Sequence, residues 1–157
     1  MRFLFAAFFI TGIANAAGSA PELPDPQLTP GAVFHVEVAT ICQPGYARSA
    51  RHVSTRTKHR VYAEYGITPD GQRYEVDHLI PLEIGGSNSI RNLWPEARFT
   101  EPWNALDKDK LERRLHALVC NGRLDLGVAQ AAIASNWIEA YQKYMPHPKE
   151  TPVSPTS

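Results

Sequence analysis

Cysteine is scarce in this sequence: Cys42 and Cys120 are the only two in 157 residues. They lie far apart, with no second Cys or His at close ligand spacing, which argues against a thiolate metal site. Net charge is absent too. Sixteen Lys and Arg balance sixteen Asp and Glu, so no overall field draws the chain to polyanions. Long apolar runs are missing, and the one at residues 4–13 is too short to cross a bilayer, so no membrane span is expected. No internal repeat is visible.

What is present begins with a three-part pattern. Arg2, the apolar run and Ala14-Asn15-Ala16 read as a signal peptide over residues 1–16, with the mature chain starting at Ala17 and exported to the periplasm or medium. Export costs the balance one basic residue, leaving fifteen against sixteen acidic ones. In an oxidising compartment Cys42 and Cys120 are expected to form a disulfide, and closing so long a loop contributes about 4–5 kcal/mol in the chain-entropy account. Residues 17–40 carry Pro21, Pro24, Pro26 and Pro30 and read as a flexible leader, with a β-prone strand or extended arm from residue 33 to Cys42.

A helix is predicted after the Pro44-Gly45 turn, capped by Ser54, with Val61, Tyr62 and Tyr65 at helical spacing and Gly66 as its stop. Arg48, Arg51, Arg56, Lys58 and Arg60 precede its first carboxylate, Glu64. Such a run is an ordinary solvated face or a local phosphate-binding one; beside a phosphodiester-cleaving centre the second applies. His35, His52 and His59 read as surface residues.

Residues 74–104 look built for chemistry. Tyr74, Val76, Leu79 and Ile80 form a β-prone run ended by Pro81, with Asp77-His78 near its close; Gly85-Gly86-Ser87-Asn88 is a loop, and Asn92-Leu93-Trp94-Pro95 a second short strand stopped by proline. From about Glu101 apolar residues recur at helical spacing, Trp103, Leu111, Leu115 and Leu118, as far as Cys120-Asn121-Gly122. Neighbours in a strand point to opposite faces, so a ligand and a base can flank one site only at a strand terminus.

This strand–loop–strand–helix order, with Asp77-His78, Asn92 and the helix that follows, resembles the HNH (ββα-metal) endonucleases, in their exported bacterial branch. The resemblance implies an α+β fold: a β-hairpin plus helix core with flanking helices, over residues 41–145. It also implies roles. His78 becomes the general base, Asn92 fixes the loop and orients His78, and Asp77 with Asn104 holds one divalent metal ion. Mg²⁺ or Mn²⁺ suits such oxygen donors best, with Zn²⁺ or Ni²⁺ as alternatives. Many members of the family carry His at the helix position, so Asp107 and Asp109 compete with Asn104. Arg56, Lys58, Arg60, Arg91 and Lys108 are the candidate nucleic-acid contacts. Glu75 and Glu83 are candidate outer carboxylates, and His116 reads as a packed or surface residue.

After Gly122, Asp125 is expected to cap one final helix bearing Ala129, Ile133, Trp137 and Tyr141, and residues 146–157 read as a disordered tail. The expectation is an exported, monomeric, metal-dependent endonuclease acting on DNA, with RNA open as a second substrate, and with little sequence specificity because no base-reading module is present. The rivals are a nucleic-acid-binding protein without turnover and a disulfide-stapled envelope protein with a structural Asp-His pair.

Overall fold

The computed structural model describes residues 22–146; the predicted signal peptide and nearly all of the predicted tail lie outside them. The described residues form a mixed α/β fold of six α-helices and one two-stranded antiparallel sheet. In chain order these are α1 (Val38–Ile41), α2 (Tyr46–Ala50), α3 (Thr55–Glu64), β1 (Tyr74–His78), β2 (Leu93–Ala97), α4 (Ala105–Cys120), α5 (Leu126–Ser135) and α6 (Trp137–Tyr144). One-turn 3₁₀ helices at Leu82–Ile84 and Ile90–Asn92 lie between the strands. Among the described residues, no helix is long and apolar enough to span a membrane.

Local chemistry accounts for most boundaries. Ser54 accepts from the Thr57 N–H and starts α3, and Gly66 follows its end at φ +64°. The second strand runs on through Pro95 to Ala97 instead of stopping at the proline. A two-stranded ribbon consists of edge strands, where a missing N–H is tolerated. The helix expected from Glu101 starts at Ala105, because Asn104 caps it by accepting from the Leu106 N–H. Trp103 therefore precedes the helix, packing edge-on against Trp137 and Tyr141 at 5.9 and 5.3 Å between ring centres.

Two expectations need correction. The single C-terminal helix is two helices, since Asn136 leaves the helical conformation and accepts from the Ile138 and Glu139 N–H groups to cap α6. The leader is also part of the folded body from residue 22 onward. Thr29 is buried and donates to Leu93 O at 2.9 Å, Trp137 Nε1 donates to Glu22 O, and Val33 bridges to Gly86. The predicted extended arm forms no strand: it makes one isolated bridge, Val33 to Gly86, with the Phe34 N–H donating to Gly85 O at 2.8 Å, and ends in the helical turn α1.

The register of the hairpin sets what each face meets. Glu75 lies opposite Glu96, Asp77 opposite Trp94 and His78 opposite Leu93. Tyr74 and Ala97 pack with Tyr62 and Ile67, around α3. Trp94 joins Leu111, Leu115, Ile133 and Trp137 in the main core, between the hairpin and the α4–α6 helices. The Cys42–Cys120 disulfide, with its Cα atoms 5.7 Å apart, ties the end of α1 to the end of α4. Such a bridge is consistent with an oxidising, exported location.

Candidate functional site

Asp77 and His78 end β1, and the chain leaves the strand immediately after them. Alternation separates their side chains, and each meets a different environment.

On the Asp77 side, α4 contributes a buried lysine. Lys108 has no exposed surface; its Nζ donates to Asp77 Oδ2 at 2.7 Å, to the His78 carbonyl at 2.7 Å and to Glu112 Oε1. Glu96, 2 % exposed, faces the same group from β2. Three carboxylates thus share one ammonium. Burial alone would lower the Lys108 ammonium, but Asp77, Glu112 and Glu96 outweigh it and hold its pKa well above the ordinary value. Burial would raise Asp77, yet the charge and hydrogen bond of Lys108 hold it below the usual carboxylate value. The other two pay for that. Burial, with Asp77 adding to it, pushes Glu112 up to about 8 and Glu96 well above its ordinary range, against the pull of Lys108. At neutral pH the cluster is close to electrically balanced.

On the other side, His78 is 2 % exposed, and burial holds its pKa below the ordinary histidine value against the raising pull of Asp77 and Asn88. Its Nε2 lies 3.1 Å from Asn88 Oδ1. The Asn88 amide is itself oriented, because Nδ2 donates to Ala50 O at 2.7 Å and Oδ1 accepts from the His52 N–H at 3.2 Å. An acceptor facing Nε2 assigns the proton of neutral His78 to Nε2. Nδ1 therefore carries the lone pair, and it is buried without a hydrogen-bond partner among the described residues.

Asn92, fully buried, locks the loop. Its Oδ1 accepts from the Ile80 N–H at 3.0 Å, and Nδ2 donates to Ile80 O and Ser87 O at 2.9 Å each. These bonds tie the loop to the end of β1, and the hydrogen bond to His78 comes from Asn88. Gly86 completes the lock, since a Cβ there would lie 1.7 Å from Ile80 O.

Asn104, the expected partner of Asp77, is spent at the start of α4: its Oδ1 caps Leu106 and its Nδ2 donates to Thr100 O at 2.9 Å. Its competitors do not join the cluster either. Asp107 pairs with Lys110 at 2.8 Å, and Asp109 is exposed. Glu112 stands in their place, one turn beyond Lys108. For a hard divalent ion the convergent oxygen donors are Asp77, Glu112 and Glu96, with Lys108 already matching the carboxylate charge of the cluster.

The expected nucleic-acid contacts divide. Lys58 is exposed and lines a cleft of about 420 Å³ between α3 and β1 that also reaches Asp77. Arg56 and Arg91 are exposed and outside that cleft, and Arg60 pairs with Glu64 at 3.3 Å. Lys108 is no surface contact, because it lies on the inner face of α4 beside Ala105 and Leu111. Glu75 pairs with Arg98 at 3.1 Å, and Glu83 is half-buried in the first 3₁₀ turn. His116 lies 3.3 Å from Cys120 Sγ and 3.2 Å from Ile41 O. The expectation that no ligand residue lies near the cysteines is corrected: His116 is one helical turn before Cys120, and Cys42, His116 and Cys120 bring ligand atoms within 4.8 Å of one another, a metal-binding set only while the disulfide is open.

Fold and site together define a small α+β protein with a buried lysine–carboxylate cluster backed by an oriented, neutral histidine. No family model, no curated protein and no solved structure matches the chain.

Proposed function

We propose that the chain is an exported, metal-dependent endonuclease of the HNH type, with β1, β2 and α4 as its ββα-metal unit, hydrolysing phosphodiester bonds of DNA and, as a second substrate, RNA. One observation carries the reading. His78 is held by Asn88 with its Nδ1 lone pair unpartnered among the described residues, one residue from an ionised Asp77 in an oxygen-rich cluster.

Phosphodiester hydrolysis needs a base for the attacking water and positive charge against the leaving oxygen. His78 takes the proton of the water at Nδ1. Its lowered pKa keeps it neutral, and so basic, at neutral pH. Closed to bulk solvent, it serves a water admitted with the substrate. Asn88 then stabilises the imidazolium, because Oδ1 accepts from Nε2–H in both protonation states. Asp77 and Glu112 would hold a divalent ion, Mg²⁺ or Mn²⁺ by their oxygen chemistry. When bound, that ion supplies the charge that offsets the leaving oxygen. Lys108 fixes the Asp77 carboxylate from behind, and Asn92 and Gly86 hold the loop that carries Asn88.

A second reading, nucleic-acid binding without turnover, is favoured by Lys108 itself, which already supplies Asp77 with positive charge. The test is Asp77→Asn, with calorimetric titration of Mn²⁺ beside nicking of supercoiled plasmid. The nuclease reading expects the wild type to bind the ion and nick, and the variant to lose both while keeping its circular dichroism. Equal nicking by the folded variant, or nicking undiminished in EDTA, contradicts it.

A further inference from the structure

The cleft between α3 and β1 has a composition the catalytic residues do not explain. It is lined along β1 by Tyr74, Glu75, Val76 and Asp77, and on its other side by the exposed Arg51, Lys58 and His59. Arg98 also lines it, but its charge is shared with Glu75. Arg51 and Lys58 are exposed and form no ion pair among the described residues, unlike Arg60, Arg73 and Lys110, each matched to a carboxylate on its own segment.

Arg51 is also fixed relative to the chemistry. Its two neighbours in sequence are bound to Asn88, through Ala50 O and the His52 N–H, and Asn88 is the residue that holds His78. The positive charge of Arg51 reaches His78, where it works against protonation. One asparagine thus joins the cationic rim to the histidine, and the cleft joins it to Asp77.

Resting on the nuclease reading of Asp77 and His78, we propose that this cleft seats a phosphate of the nucleic-acid backbone flanking the scissile one, with Arg51 and Lys58 on its non-bridging oxygens and His59 at its mouth. The strand then runs along β1 toward Asp77. Contacts of this kind set position and carry no base preference. They give a near-neutral protein a local route to a polyanion.

The test uses the oxidised protein and fluorescein-labelled 16-nucleotide single strands and duplexes, with anisotropy read in EDTA so that binding is separated from cutting. Arg51→Ala/Lys58→Ala is expected to weaken binding about tenfold or more at 50 mM salt and to reduce the slope of log K against log salt by roughly one, for the one phosphate the cleft seats. Arg51→Ala alone is expected to weaken binding severalfold, whereas Arg123→Ala, which removes the same single charge from the turn after α4, is expected to shift it less than twofold. Displacement of the labelled strand by a few millimolar inorganic phosphate would mean an ion site, not a strand site, and would overturn the proposal. So would a double variant that binds like wild type with an unchanged slope, or a wild type that binds neither oligonucleotide.

The same proteins assayed for metal-dependent plasmid nicking keep the two readings apart. Nicking by wild type with unaltered binding by the double variant sinks the cleft and leaves the nuclease. Binding lost in the double variant, with no nicking by wild type under any divalent ion, keeps the cleft and sinks the catalytic reading.

Discussion

Replacing Lys108 with methionine keeps a straight aliphatic chain in the inner face of α4 and removes the one ammonium that Asp77, Glu96 and Glu112 share. Leaving a buried charge without its partner costs about 3–5 kcal/mol. The cost is expected at that size at pH 8, because Glu112, poised at about 8, and Asp77 must then take up protons or stay ionised without a counter-charge. The sign follows from linkage. A carboxyl whose pKa is raised by folding binds more protons folded than unfolded, so its contribution is present at low pH and lost as pH rises toward the folded value. The penalty of Lys108→Met is therefore expected to shrink on acidification, by about 1.4 kcal/mol per pH unit for each extra proton the variant holds. Urea unfolding of both proteins at pH 5.5, 7 and 8 measures it. A penalty below about 1 kcal/mol at pH 8, or one that does not change with pH, would refute the shared-ammonium account.

Other expectations follow from the same geometry. Asn88→Ala leaves His78 free to rotate and change tautomer, and is expected to lower kcat about 10–100-fold, less than the roughly 100–10,000-fold that losing the base itself would cost, while stability falls by roughly 1 kcal/mol. The acid limb of the kcat/KM–pH profile is expected below the ordinary histidine pKa, activity rising with pH as His78 loses its proton; a limb above 7 contradicts a buried, neutral base. Opening Cys42–Cys120 with dithiothreitol, or Cys42→Ser/Cys120→Ser, is expected to cost about 4 kcal/mol in urea unfolding without altering the His78–Asn88 pair. Gly86→Ala forces the loop off Ile80 O, and a melting temperature within a degree of wild type would show that the close approach is not required.

Local signals made much of this chain legible. Ser54, Asp125 and the Gly66 stop are short-range devices that act within a turn of themselves, and the β-prone run ended by Pro81 placed Asp77 and His78 near a strand end. The residues that escaped act across the fold. Asn88 read as a loop residue, because its partners, Ala50 and His52, come from a segment 36 to 38 positions away. Glu96 lies just past Pro95, where the second strand is expected to stop, yet pairing opposite Glu75 and burial beside Lys108 make it part of the cluster. One signal was available for Lys108: it falls three residues before Leu111 and seven before Leu115, on the apolar stripe, with Glu112 four residues on. A lysine on a buried stripe demands a carboxylate partner. Asn104 is the ligand that the family resemblance implies, but asparagine is also a strong cap, and the helix end claimed it.

The measurement that bears most directly on the central claim is nicking of supercoiled plasmid by the oxidised protein, in EDTA and then with Mg²⁺ or Mn²⁺, beside His78→Ala. The account predicts nicking by wild type only when the ion is present, and a variant that remains folded, still binds DNA and does not cut. Undiminished cutting by His78→Ala, or binding by wild type without cutting under every divalent ion, would contradict it.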